Sequence, residues 1–377
     1  MIQLKGKRRT AAFVDLGAIK QNILGIKAKV GRNIKICPVV KADAYGHGAE
    51  AVSKWIEEEK LADYLGIATV DEGKELRKAG IRLPLLLLGL IMPDEAKQAA
   101  EQGLTITACE KNLVDAASRA AHELKKKLRV QIKIDTGMGR IGCQPEETLE
   151  LAKYIRSKKN LKLEGIFSHF PVSDIKDKAF SLHQIEVFKK VARDLEEHGF
   201  PHLLKHLANS GAILDLPQSY FDMVRPGIMI YGHYPSDGIS ESIKIRPALT
   251  LRSEIIFIKR VKKGTSLSYG RTYTTAKDSY VATVPAGYAD GINRLLSNNH
   301  QVIIRGRLYP LVGRVTMDQI LVDLGDDFYP VGTEVVIFGQ ELITASDVAR
   351  RLSTIPYEVT CSVSKCVKRY YLMGSMG

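Results

Sequence analysis

From about residue 34 to residue 228, short runs rich in Val, Ile and Leu alternate with longer segments of helical period. This alternation limits the fold more than any other feature of the chain. The apolar runs fall at 36–40, 64–68, 85–88, 104–108, 130–134, 163–167, 203–207 and 221–224. Segments of helical period lie between them at 48–59, 71–79, 93–101, 111–126, 146–156 and 178–197. Eight strand–helix units in succession predict an α/β fold closed as a (β/α)8 TIM-like barrel rather than an open sheet. A further apolar run at 13–16 makes a ninth candidate strand ahead of the first unit. Beyond about Lys244 the helical period fades. Runs at 249–261, 280–285, 301–304, 309–315, 320–324 and 334–338 follow one another, with turns at Gly264, Gly306, Gly325 and Gly332. That pattern predicts a mostly antiparallel β domain after the barrel.

Composition narrows the partners. The 377 residues are 45% apolar and 26% charged, which fits two globular domains and excludes disorder or coiled coil. The net charge of +13 is spread over short clusters at 125–127, 259–260, 262–263 and 368–369. No aromatic residues interleave with them and no paired Cys-x-x-Cys occurs, so they read as a solvated surface or as attraction for an anionic substrate, with no nucleic acid as partner. The longest apolar run, 85–92, is far short of the about 20 residues that a membrane span needs. The basic amino end is not followed by the apolar segment of a signal peptide. Five cysteines, an odd number and mostly far apart, predict a reduced cytoplasmic protein without a disulfide framework.

In barrels the chemistry sits at the carboxyl ends of the strands. The first strand runs into Lys41-Ala42-Asp43-Ala44-Tyr45-Gly46-His47-Gly48. A lysine ending an apolar strand is partly desolvated, which lowers its pKa and frees the amine to form a Schiff base. The fifth unit ends in a loop where three glycines surround Arg140, a cation suited to a carboxylate or phosphate. Ser168-His169-Phe170 ends the sixth strand. The seventh ends His206-Leu207-Ala208-Asn209-Ser210-Gly211, where Ser210 would open a helix whose free N–H groups attract phosphate. The eighth ends Val224-Arg225-Pro226-Gly227-Ile228, again a cation beside a glycine turn. There is no dinucleotide fingerprint, Walker loop, nucleophile elbow or zinc-protease motif, and no metal site is predicted. A reactive lysine, an anion-binding helix start and a cationic surround suggest pyridoxal 5'-phosphate as cofactor.

Over nearly its whole length the chain resembles the bacterial alanine racemases of the pyridoxal-phosphate barrel type. The run 39–48 resembles that family's cofactor-lysine signature, and Asp135-Thr136-Gly137-Met138-Gly139-Arg140 a second family motif. Ser268-Tyr269-Gly270, Gly287-Tyr288-Ala289-Asp290-Gly291, the run 313–319 and Tyr357-Glu358-Val359 resemble others. The resemblance implies a barrel at 16–243 and a β domain built from 1–15 and 244–377, which would absorb the ninth strand. It implies that Lys41 holds the cofactor as an internal aldimine and serves as one base, while Tyr269 of a partner subunit is the opposite base. Tyr45, Ser210 and the backbone of Gly227 and Ile228 would hold the phosphate, with Asn209 and Tyr357 nearby. Arg225 would face the pyridine nitrogen, and His169 would lie between Arg225 and Tyr269. Arg140 and the backbone of Met317 would orient the substrate carboxylate. Asp318 would be a supporting residue, as would Lys133, which matches a position carbamylated in many relatives. The implied enzyme is a homodimer that interconverts L- and D-alanine, supplying D-alanine for peptidoglycan. Thr316, Pro171 and Cys366 depart from the common pattern without removing a catalytic group.

Rival readings are weaker. A barrel-type decarboxylase of the same cofactor would place an acid where Arg225 stands. A small cofactor-carrying barrel protein would lack Tyr269 altogether. A pocket closed by Tyr269, Tyr357 and Met317 predicts alanine as substrate, with serine or a broader set of small amino acids as the alternative, because an apolar pocket rejects an added hydroxyl poorly.

Overall fold

In the computed structural model, which describes residues 9–373, the eight alternating runs close into a ring of parallel strands. The strand β1 (Ala11–Asp15) precedes them. The ring itself comprises β2 (Lys35–Ile36), β3 (Leu65–Ile67), β4 (Leu85–Leu87), β5 (Ile106–Ala108), β6 (Leu128–Lys133), β7 (Leu161–Phe167), β8 (Leu204–His206) and β9 (Met223–Val224). Ladders join β3 to β4, β5 through β8 in order, and β9 to β2. Backbone bonds outside these ladders close the gaps. Gly66 N–H donates to Pro38 C=O at 2.8 Å, Thr105 N–H to Leu85 C=O at 2.9 Å and Asp222 N–H to Lys205 C=O at 2.9 Å. Pro38 has no N–H to give, which is why β2 stops at Ile36 although Val39 and Val40 continue its path. Leu65, Ile67, Leu85, Leu87 and Ile106 are wholly buried, as strands covered on both faces require. Each such side chain stabilises the fold by about 1.5–3 kcal/mol.

The outer helices follow the expected spacing, with local differences. Those at 93–101 and 146–156 begin as 3-10 turns, Pro93–Glu95 and Pro145–Glu147, because proline opens each. No α-helix follows β9, only the 3-10 turn Ile228–Tyr231. The missing place in the outer layer is filled by the amino-terminal helix Leu16–Val30, which sequence reasoning did not anticipate. Its Asn22 donates to the carbonyls of Ile230 at 3.1 Å and Arg246 at 2.9 Å. Among the described residues, no helix is long and apolar enough to cross a membrane.

The carboxyl-terminal part forms one nine-stranded sheet. The run expected at 249–261 is two strands, β10 (Leu249–Glu254) and β11 (Phe257–Val261). After the small hairpin β12 (Ser266–Leu267) and β13 (Tyr273–Thr274) come β14 (Ser279–Val284), β15 (His300–Ile304), β16 (Arg307–Val312), β17 (Ile320–Gly325), β18 (Glu334–Phe338) and β19 (Lys368–Leu372). The order across the sheet is β11-β14-β17-β16-β15-β18-β10-β1-β19. Every pairing is antiparallel except β1 with β19. The ninth candidate strand is thus β1, and it lies in this sheet. Two helices interrupt the expected run of turns, Ala345–Leu352 and Pro356–Cys361. The second carries Tyr357 to the barrel mouth.

Candidate active site

The chain leaves β2 through Val39 and Val40 and reaches Lys41, after which Ala42, Asp43, Ala44 and Tyr45 all adopt left-handed backbone angles, with φ from 51 to 55°. Such a conformation costs an L-residue about 1–2 kcal/mol, so the turn must be held from outside. Glu72 accepts from Ala42 N–H at 2.7 Å, Asp43 accepts from Ala49 N–H at 2.8 Å, and Arg369 donates to Gly46 C=O at 2.9 Å. The strain fixes Lys41 and Tyr45 on opposite ends of one rigid turn.

Lys41, Tyr45, Lys133, Arg140, His169, Asn209, Ser210, Arg225, Gly227 and Tyr357 all line one cavity of about 640 Å³ at the carboxyl end of the barrel. Burial, then the charge of Arg140, holds the Lys41 amine below the ordinary lysine range, against the carboxylate of Glu72. Lys133 is pushed further, to about 7, by burial and by Arg225 and Arg140. Its Nζ donates to Leu88 C=O at 3.5 Å and lies 5.3 Å from the Phe167 ring. Arg140 sits in the glycine loop that Asp135 organises by accepting from Gly137 N–H at 2.9 Å and Gly139 N–H at 3.1 Å.

At the other end of the cavity, Asn209 caps the helix Ser210–Asp215 by accepting from Ala212 N–H at 3.1 Å, and Ser173 donates to the same oxygen at 2.8 Å. Gly227 N–H donates to Ser210 Oγ at 2.9 Å. A Cβ at Gly227 would lie 2.8 Å from the Tyr45 hydroxyl, so only glycine leaves room there. Ile228, fully buried, follows Gly227 and starts the next turn. Two hydroxyls and backbone N–H groups around a gap suit a phosphate. The rings of Tyr45 and Tyr357 stand 5.7 Å apart beside it, and burial raises both phenols.

Arg225 is 4% exposed. It donates to Ser168 C=O at 2.6 Å and Leu207 C=O at 3.1 Å, and its Nη1 lies 2.5 Å from His206 Nδ1. Burial lowers its pKa to about 10, still charged at neutral pH. A guanidinium only donates, so His206 Nδ1 is bare and its Nε2–H donates to Gln131 Oε1 at 2.7 Å. Gln131 Nε2 donates in turn to Glu164 at 3.0 Å. Sequence reasoning missed this chain. Its signal was Gln131 two residues before Lys133 in the run 130–134, whose other residues are apolar, so that strand alternation turns both side chains inward. Burial and then the charges of Arg225, Lys133, Arg140 and Lys41 keep His169 neutral.

Three expected residues are elsewhere. Tyr269 is 73% exposed, Met317 53%, and Asp318 is exposed too; none lines this cavity. They cluster on the β domain, where Ser268 donates to Arg314 C=O at 2.8 Å and Ala289 N–H to Met317 C=O at 3.0 Å. Tyr269 and Met317 thus do not line the cavity of their own chain, which Tyr357 and His169 do. Cys361, Glu72 and Ser173 join the site without having been anticipated.

The family model for the alanine racemase N-terminal domain matches residues 14–235, and that for the alanine racemase C-terminal domain matches 248–371. The curated alanine racemase 2 of Caldanaerobacter subterraneus subsp. tengcongensis is 47% identical over 370 residues, covering 97% of this chain and 95% of that protein. The alanine racemase of Cutibacterium acnes is 43% identical over 366 residues, covering 96% and 97%. Among solved structures, alanine racemase of Clostridium difficile 630 superposes with a TM-score of 0.94 at 41% identity, over 98% of this chain and 97% of that one. That of Bacillus anthracis with bound L-Ala-P superposes at 0.91 with 36% identity, over 97% and 96%.

Proposed function

The chain belongs to the alanine racemase family and interconverts L- and D-alanine, and we propose that it does so with pyridoxal 5'-phosphate held by Lys41, and with Tyr269 of a partner subunit as the second base. The observation that carries this reading is that Lys41, Arg225 and the Tyr45–Ser210–Gly227 cradle line one cavity. These groups fit the cofactor: a desolvated amine for its aldehyde, a hydroxyl-lined gap for its phosphate and a fixed cation for its ring nitrogen. On this reading residues 16–243 bind the cofactor, while 1–15 and 244–377 form a unit that completes the partner's site. Residues 1–8 and 374–377 lie outside the described structure.

The bound cofactor supplies the electron sink that makes the Cα proton of alanine acidic. Inverting Cα then needs a proton taken from one face and another given to the opposite face, hence two bases. Lys41 Nζ, its pKa lowered by burial and Arg140, takes or returns the proton on its side. Tyr269 does the same on the other side. Arg140 and the backbone N–H of the partner subunit's Met317 orient the substrate carboxylate, with the partner's Asp318 supporting that turn. His169, neutral, spaces Arg225 from the incoming tyrosine. Arg225 keeps its protons, so it steadies the ring nitrogen without protonating it. Lys133, lowered to about 7 by burial and by Arg225 and Arg140, is about half uncharged at pH 7, the form that reacts with carbon dioxide with loss of one proton.

The exposure of Tyr269 and Met317, which do not line their own chain's cavity, supports a homodimer. Five free cysteines suit the reducing cytoplasm, where the D-alanine would feed peptidoglycan synthesis. The test is L-alanine in deuterated water. Exchange of the Cα proton together with loss of optical rotation is expected; carbon dioxide release, or rotation retained, contradicts the reading. Borohydride should trap the cofactor on Lys41 and on no other lysine.

A further inference from the structure

The left-handed turn after Lys41 is closed by a side chain that does not line the cavity. His47 Nδ1 lies 3.0 Å from the carbonyl oxygens of both Ala44 and Tyr45. Carbonyls only accept, so the proton sits on Nδ1, and Nε2 is a bare acceptor, buried with no partner among the described residues. The ring stacks on Tyr231 with centroids 4.4 Å apart. Tyr231 also packs on Tyr45 at 5.1 Å, and its hydroxyl donates to Val39 C=O at 2.9 Å, two residues before Lys41.

We propose that His47 is a positioning residue for the cofactor phosphate: its Nδ1–H pins the Ala44 and Tyr45 carbonyls, and its stack on Tyr231 sets the Tyr45 hydroxyl against Ser210 and Gly227. The inference rests on reading that cradle as the phosphate seat. The position demands a buried donor that carries no charge. Lysine or arginine would bring an unpaired cation among apolar rings, and serine is too short to meet two carbonyls at once. Burial lowers His47 to about 3, so the ring stays a neutral donor throughout the working range of pH. The cavity wall shows Tyr45, while the group that aims it sits one layer behind.

The test compares release and rebinding of pyridoxal 5'-phosphate and of pyridoxal, which lacks the phosphate, by full-length holoenzyme during dialysis. His47→Phe keeps the ring stack and loses the donor. It should weaken pyridoxal 5'-phosphate by about tenfold or more and pyridoxal by less than about threefold. His47→Asn, whose amide N–H stands where Nδ1–H stood but which lacks the ring, should recover part of that loss and hold pyridoxal 5'-phosphate more tightly than His47→Phe. In a Tyr45→Phe background, His47→Phe should add less than about threefold, because the hydroxyl it aims is gone. Where His47→Phe does not fold, His47→Gln replaces it, since its amide reaches the Nε2 position and leaves the carbonyls unpaired. The proposal is overturned if the donor-free variant holds pyridoxal 5'-phosphate as the wild type does, or loses both compounds equally. A wild type that does not prefer the phosphorylated compound removes the phosphate seat, and the proposal with it.

Discussion

Nη1 of Arg225 lies 2.5 Å from Nδ1 of His206, and this contact orders a chain of groups running down the barrel interior. Because the guanidinium can only donate, His206 must be neutral with its proton on Nε2, which donates to Gln131 Oε1, while Gln131 Nε2 donates in turn to Glu164. The cation on the cavity wall is thereby oriented from behind, by residues that do not line the cavity.

Replacing His206 by Phe preserves the stack on Phe167, whose ring lies 4.9 Å away and nearly parallel. It leaves Nη1 of Arg225 and the Gln131 oxygen unpaired in the interior. Destabilisation by about 1–3 kcal/mol is expected, measured as a lower urea midpoint at unchanged slope. A midpoint equal to wild type would mean that the chain does not hold Arg225.

Carbon dioxide uptake at Lys133 has a defined pH sense. Only the neutral amine reacts, and burial with Arg225 and Arg140 lowers Lys133 to about 7. Protein in 13C-bicarbonate should therefore show a carbamate carbon signal at pH 8 that shrinks at pH 6 and is missing in Lys133→Ala. A signal that survives that substitution places the adduct elsewhere.

How much of this was legible in the chain depends on what each residue's role requires. The barrel was legible because strands buried on both faces read as apolar runs, and Lys41, Arg140, Ser210 and Arg225 stand at strand ends where polar residues are conspicuous. Leu16–Val30 was not, since it fills an outer place from ahead of the first strand. Pro356–Cys361 is a six-residue helix, too short to show a period, yet it delivers Tyr357 and Cys361 to the cavity. His206, Gln131 and Glu164 lie on three different strands. Only closure of the barrel reveals that they meet.

Buried histidines set the acid limit of stability. His47 is lowered to about 3, and His233 and His300 to about 4, all chiefly by burial. Below the unfolded value of about 6.5 the unfolded chain binds protons that the native state refuses. Stability is therefore full above about pH 6.5 and lost as pH falls towards the folded values, each group removing up to about 1.4 kcal/mol per pH unit. Urea midpoints at constant ionic strength should fall steadily from pH 6.5 to 5, above the range where carboxylates titrate. A flat midpoint over that window would contradict the burial of neutral imidazoles.

The central claim is that each site joins Lys41 of one subunit to Tyr269 of the other, and subunit exchange tests it directly. Lys41→Ala and Tyr269→Ala are each expected to be inactive alone. In a mixed dimer one site inherits both lesions and the other neither, and random pairing makes half the dimers mixed. Mixing the two variants should restore activity to about a quarter of all sites, with heterodimers confirmed by mass. Heterodimers that form and remain inactive would contradict a site shared between subunits.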